Sequence, residues 1–133
     1  MKFLSPRVHG YIDYAAVALL ALAPTLFGFA GVAATICYLA AIGLLVMSLC
    51  TAYPLSLARL VPFTVHGAIE FGSSVLFVVA PWLFGFDSVP APRNFFVIGG
   101  IALFGLYLIT NYKAADTYRQ APRMPRTREG LRT

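Results

Sequence analysis

Residues 61–86, VPFTVHGAIEFGSSVLFVVAPWLFGF, repeat residues 4–29, LSPRVHGYIDYAAVALLALAPTLFGF, without a gap. His9 aligns with His66, Gly10 with Gly67, Asp13 with Glu70, Ala23 and Pro24 with Ala80 and Pro81, and Phe27-Gly28-Phe29 with Phe84-Gly85-Phe86, all at one offset. This is an internal duplication, and it predicts two equivalent structural units. Each copy is an apolar run of about 20 residues, which at about 1.5 Å per residue crosses a hydrocarbon core of roughly 30 Å as a helix.

The rest of the composition agrees with a membrane protein. Hydrophobic residues make up 59% of the chain and charged residues only 11%, with a mean hydropathy of +0.78, far from the balance of a soluble globule. The net charge of +5 sits outside the apolar runs, so it reports topology before any acidic partner. Nucleic acid is excluded as a partner for want of any accompanying fold signature. Cys37 and Cys50 share one apolar segment about 19 Å apart along a helix, beyond disulfide reach. Lys2 and Arg7 before the first run resemble a signal peptide, but the run is long and recurs later, which marks it as a retained span.

Taken in order, Ser5 caps and Pro6 opens helix 1, which runs to about Phe27 before Gly28 supplies a left-handed terminus. Helix 2 is expected at about 32–52, with Ala33, Ala34, Ala40, Ala41 and Gly43 allowing close approach. Helix 3 follows Pro62 and ends before Gly85. A polar loop at 87–92 precedes helix 4 at about 93–112, with Gly99, Gly100 and Gly105 as its packing points. The predicted fold is an all-α membrane protein, a four-transmembrane-helix bundle of two tandem two-helix repeats in parallel orientation. Repeat 1 covers about 4–54 and repeat 2 about 61–113, within a membrane domain at 1–113. Residues 114–133 carry five arginines, Pro122 and Pro125, and are expected to form a basic, disordered cytoplasmic tail.

Four spans put both termini and the helix 2–3 linker on one side. Lys2, Arg7, Arg59, Lys113, Arg119, Arg123, Arg126, Arg128 and Arg132 fall there, against Arg93 opposite. Positive residues mark the cytoplasmic face, so both termini are expected inside, in a bacterial-type inner membrane. Two spans per repeat make the repeats parallel, with a pseudo-twofold axis along the membrane normal.

Each histidine precedes an acid by four residues, His9 with Asp13 and His66 with Glu70, so each pair lies on one helix face. An ionised carboxylate facing lipid costs on the order of 2–3 kcal/mol, so both acids should face the interior. The pseudo-twofold then brings the four residues together near the cytoplasmic end. Three roles fit such a polar intramembrane cluster: a staple fixing the repeat interface, a proton or solute path, or a metal or haem site with His9 and His66 as ligands and Asp13 and Glu70 as further ligands or as partners hydrogen-bonded to them. No nucleophile elbow, H-E-x-x-H or phosphate loop is present, so no catalytic residue, enzymatic activity or cofactor is assigned.

A second motif closes helices 1 and 3. Pro24 and Pro81 fall about one turn before the helix ends, where with Gly28 and Gly85 they shape the exits; a gating hinge is the alternative. Trp82, Phe84, Phe86, Phe27 and Phe29 are placed in an outer interfacial aromatic belt. Besides the bilayer, anionic lipid at the basic tail and a second copy of the chain are candidate partners.

The histidine-glycine-x-x-acid start and the exit Ala80-Pro81-Trp82-Leu83-Phe84-Gly85-Phe86 resemble the SPW-repeat family of small integral membrane proteins. That family carries a Ser-Pro-Trp motif in the first helix of each two-helix repeat. Here the second copy has Ala for Ser, and the first reads Ala23-Pro24-Thr25, so the proline alone is common to both. The resemblance implies a two-by-two-span membrane fold and carries no activity. The resulting expectation is a structural or interaction module with a buried His/carboxylate cluster; the alternatives are a small transporter, channel or proton-coupled module, and a metal or haem binder.

Overall fold

The computed structural model describes residues 2–115. Among them there are four helices and no strand: α1 (Pro6–Leu26), α2 (Gly31–Cys50), α3 (Phe63–Leu83) and α4 (Pro90–Ile109). Three of these, α2, α3 and α4, are long and apolar enough to cross a membrane. α1 matches α3 in length but carries Arg7, His9 and Asp13. α1 packs along α2 and α3 along α4, giving two antiparallel hairpins.

The exits of α1 and α3 have one geometry. Gly28 and Gly85 adopt φ of +66° and +72°, a region that costs a β-carbon-bearing residue about 1–2 kcal/mol. The turn returns the Phe29 N–H to the Pro24 carbonyl at 3.0 Å and the Phe86 N–H to the Pro81 carbonyl at 2.8 Å. This is the Schellman closure, and it satisfies carbonyls that a helix end otherwise leaves open. It also corrects the expected aromatic belt. Phe29 and Phe86 are each only 7% exposed, because the left-handed glycine folds the following residue back over the helix end. There Phe86 meets Phe96 at 5.1 Å and Phe29 meets Phe95 at 5.8 Å between ring centroids. Trp82, 59% exposed, stays on the surface with Phe27 and Phe84.

Three helix boundaries differ from expectation. α4 begins at Pro90, with Pro90 and Pro92 in its first turn, where a missing N–H costs no bond and the proline φ suits a helix. α2 and α4 stop at Cys50 and Ile109, because Thr51 and Thr110 turn extended, with ψ of 141° and 135°. Extended chain then pairs across hairpins. Asn111 donates to the Leu4 carbonyl at 3.1 Å and Leu4 to Ile109 at 3.0 Å, while Ala52 donates to Val61 at 2.8 Å and Val61 to Cys50 at 2.9 Å. Leu4 and Val61 are partners in the duplication.

Apolar residues near the hairpin turns form one core, including Ala23, Phe29, Cys37, Ala80, Phe86 and Phe96. Tyr53, Phe63, Tyr112 and Ala115 form a second at the opposite end. The burial of Ala115 departs from the expected tail boundary; residues 116–133, where the rest of that expectation falls, lie outside the described residues. Both cysteines are free. Of the small residues, Ala33, Ala34 and Ala41 are buried, and Gly100 is tight, a β-carbon there meeting the Ser74 carbonyl at 2.8 Å. Gly43 and Gly105 pack against nothing; they line a cleft between the hairpins.

Candidate functional site

His9, Asp13, His66 and Glu70 are all buried, from 0% exposure at His9 to 6% at Glu70. The fold brings the four together. The two imidazole centroids are 5.4 Å apart at 79°. Nε2 of His9 lies 3.2 Å from Asp13 and 3.6 Å from Glu70, and Nε2 of His66 lies 3.6 Å from Asp13. Each acid is therefore reached from the opposite hairpin as well as, for Asp13, from its own.

Four residues beyond the helix ends complete the site. Thr51 and Thr110, both fully buried, meet Nδ1 of His66 at 2.9 Å and Nδ1 of His9 at 3.0 Å. Each threonine comes from the other hairpin. Each also stands close to a backbone carbonyl one turn back, Thr51 to Met47 at 2.6 Å and Thr110 to Leu106 at 2.7 Å. Two oxygens that close require the hydroxyl proton between them, so the threonine oxygen can only accept from the imidazole. Assigned on this network, both rings carry a proton on Nδ1, and both Nε2 atoms turn toward the carboxylates.

The tyrosines serve the acids. Tyr53 donates to Oδ2 of Asp13 at 3.5 Å, alongside Ser48 at 3.3 Å, and Tyr112 donates to Oε2 of Glu70. Burial pushes both phenols well above the ordinary tyrosine range, which keeps them as donors. Their rings explain the repeated glycines. A β-carbon at Gly67 would stand 2.8 Å from the Tyr112 ring, and one at Gly10 would collide with the Tyr53 ring. The histidine-glycine pair is thus a seat for the tyrosine that reaches the acid. Phe63, fully buried, closes the site from its end of the bundle, 5.1 Å from His9 and 5.7 Å from His66.

Sequence reasoning missed these residues, although a signal existed. Thr51-Ala52-Tyr53 and Thr110-Asn111-Tyr112 are also a repeat, displaced from the histidine offset because Asp87 and Ser88 lengthen the second hairpin turn. Phe63 aligns with Pro6 and had no such signal.

The network leaves two buried atoms without a hydrogen-bond partner among the described residues, Nε2 of His9 and Oε1 of Glu70. An unsatisfied buried acceptor costs about 1–3 kcal/mol, more when charged. Beyond the cluster a cleft of about 790 Å³ runs between the hairpins, lined by all four helices. Asp13, His66 and Glu70 form its polar end, and apart from Ser73 the rest is apolar, including Leu20, Leu44, Phe77 and Phe95. Ile12, Leu19 and Ile69 line it and are also exposed, so it opens sideways. The other predicted motif, Pro24, Gly28, Pro81, Trp82 and Gly85, takes no part in the site. It shapes the helix exits near the opposite end.

Fold and site together define an all-helical protein with three membrane-length helices and a buried imidazole–carboxylate cluster. No family model matches the chain, and no curated protein or solved structure is similar enough to stand as a relative.

Proposed function

We propose that this protein is a multi-pass membrane protein of two tandem, parallel hairpins, in which the polar cluster locks one hairpin to the other. The observation that carries this reading is the reciprocal exchange of Thr51 to His66 and Thr110 to His9, each across hairpins. In lipid, helix association has no hydrophobic drive, and buried polar contacts supply specificity instead. α1 is then the fourth span, its acid turned inward. The distribution of lysine and arginine supports both termini on the cytoplasmic side of a bacterial-type inner membrane. The resemblance to SPW-repeat proteins agrees with this architecture and adds no activity, and no enzymatic role is proposed. Thermal unfolding in detergent micelles tests the lock. The double variant Thr51→Val/Thr110→Val should lose cooperative unfolding or melt far below wild type, and an unchanged transition would refute it.

A second reading is favoured by the cleft, whose polar end is the same cluster. A small transporter, channel or proton-coupled module would bring a membrane-soluble solute sideways between the hairpins to Asp13, His66 and Glu70. Flux into proteoliposomes should then vanish in Asp13→Asn and fall in Gly43→Leu, which fills the cleft where a β-carbon meets nothing. Folded protein with no flux for any tested solute removes this reading and leaves the lock.

A further inference from the structure

A haem clamped between the two histidines does not fit. The carboxylates of Asp13 and Glu70 stand within 3.6 Å of Nε2 of His9, in the space a porphyrin plane would need. The same crowding suits a bare ion. One donor atom each from His9, His66 and Glu70 lies within 4.8 Å of the others. Nε2 of His9 stands 3.6 Å from one Glu70 carboxylate oxygen, Oε2, near the edge of about 3.3 Å expected between ligands of a tetrahedral ion with bonds of about 2.0–2.1 Å.

We propose that His9, His66 and Glu70 form a binding site for one divalent first-row transition-metal ion, with Asp13 beside it completing the charge. Two features of the cluster point there. The threonines hold a proton on Nδ1 of both imidazoles and leave Nε2 of each facing the carboxylates, the kind of orientation that outer hydrogen bonds impose on metal-bound histidines. Tyr112 holds one oxygen of Glu70 and leaves the other, Oε1, free and buried. Two imidazoles and carboxylate oxygens suit Zn²⁺, Fe²⁺, Co²⁺ or Cu²⁺ better than Ca²⁺ or Mg²⁺, which take all-oxygen shells. The cleft reaches Glu70 and His66, which gives the ion a neighbouring space.

The chain has two histidines, which makes the test direct in protein purified without a polyhistidine tag. Chelator-stripped protein in detergent is titrated with Co²⁺ and with Cu²⁺, and pulsed EPR of the Cu²⁺ form counts imidazole nitrogens. The expected result is one ion per chain carrying two imidazole nitrogens, which can only be His9 and His66. Glu70→Gln should weaken Co²⁺ binding at least tenfold, and Thr110→Val about 10–100-fold through the released imidazole. His66→Asn should leave a single nitrogen. If the variants fail to fold, the wild-type spectrum alone decides. Folded wild type that takes up no stoichiometric ion, or whose Cu²⁺ signal shows fewer than two imidazoles, overturns the site. That outcome leaves the hairpin lock standing, since the lock is tested on metal-free protein.

Discussion

Thr110, just past the end of α4, sits 3.0 Å from Nδ1 of His9, in the first turns of α1. The contact ties one end of the described chain to the other, and its counterpart, Thr51 to His66, ties the middle. Each threonine also fixes which ring nitrogen faces the acids. The pair is therefore both a joint between hairpins and the device that orients the cluster.

Removing either hydroxyl should be costly. Thr110→Val or Thr51→Val leaves an Nδ1–H buried without an acceptor, a loss of about 1–3 kcal/mol. Thr→Ser at the same positions keeps the oxygen and should restore most of it. Unfolding of the metal-free protein in mixed micelles, followed by circular dichroism, measures both.

Glycines should divide by location. Gly10→Ala and Gly67→Ala push a methyl into the Tyr53 and Tyr112 rings and should destabilise by about 1–3 kcal/mol through overpacking. Gly43→Ala and Gly105→Ala meet open space and should stabilise by about 0.5–1 kcal/mol, the ordinary gain for alanine in a helix. The same unfolding assay would show a reversed order if the tyrosines are not seated on the glycines.

At the helix exits, Gly28→Ala and Gly85→Ala must hold a β-carbon at positive φ and should each cost about 1–2 kcal/mol. Because nothing lies within 4 Å of either position, the penalty is one of backbone conformation, and asparagine should be tolerated better than alanine. Melting temperatures of the wild type, Gly85→Ala and Gly85→Asn give the ranking.

Topology is checked by labelling. In a Cys37→Ser/Cys50→Ser background, a cysteine replacing Ser88 should react with an impermeant maleimide from outside the cell. One replacing Ser56, in the α2–α3 linker, should react only after the membrane is opened. Labelling of both from the same side would mean that α3 does not cross.

Much of the architecture was legible because helical periodicity and membrane thickness act locally. Four helices, the left-handed glycines at the exits of α1 and α3 and the shared face of His9 with Asp13 and His66 with Glu70 all follow from spacing within a few turns. The ends of α2 and α4 lie beyond such local signals: Thr51 and Thr110 leave the helix to pair with Val61 and Leu4, and nothing in the helical pattern announces either partner.

The sequence by itself determined that two copies of one motif exist and that each sets an imidazole beside an acid. Only the tertiary structure decided that Tyr53 and Tyr112 fold back onto the glycines, that Phe29 and Phe86 go inward, and that each histidine is held by the other hairpin's threonine. Those contacts join residues with no common periodicity. Their partners are chosen by the packing of hairpin on hairpin, where a buried donor or acceptor must find its match wherever the chain happens to bring one.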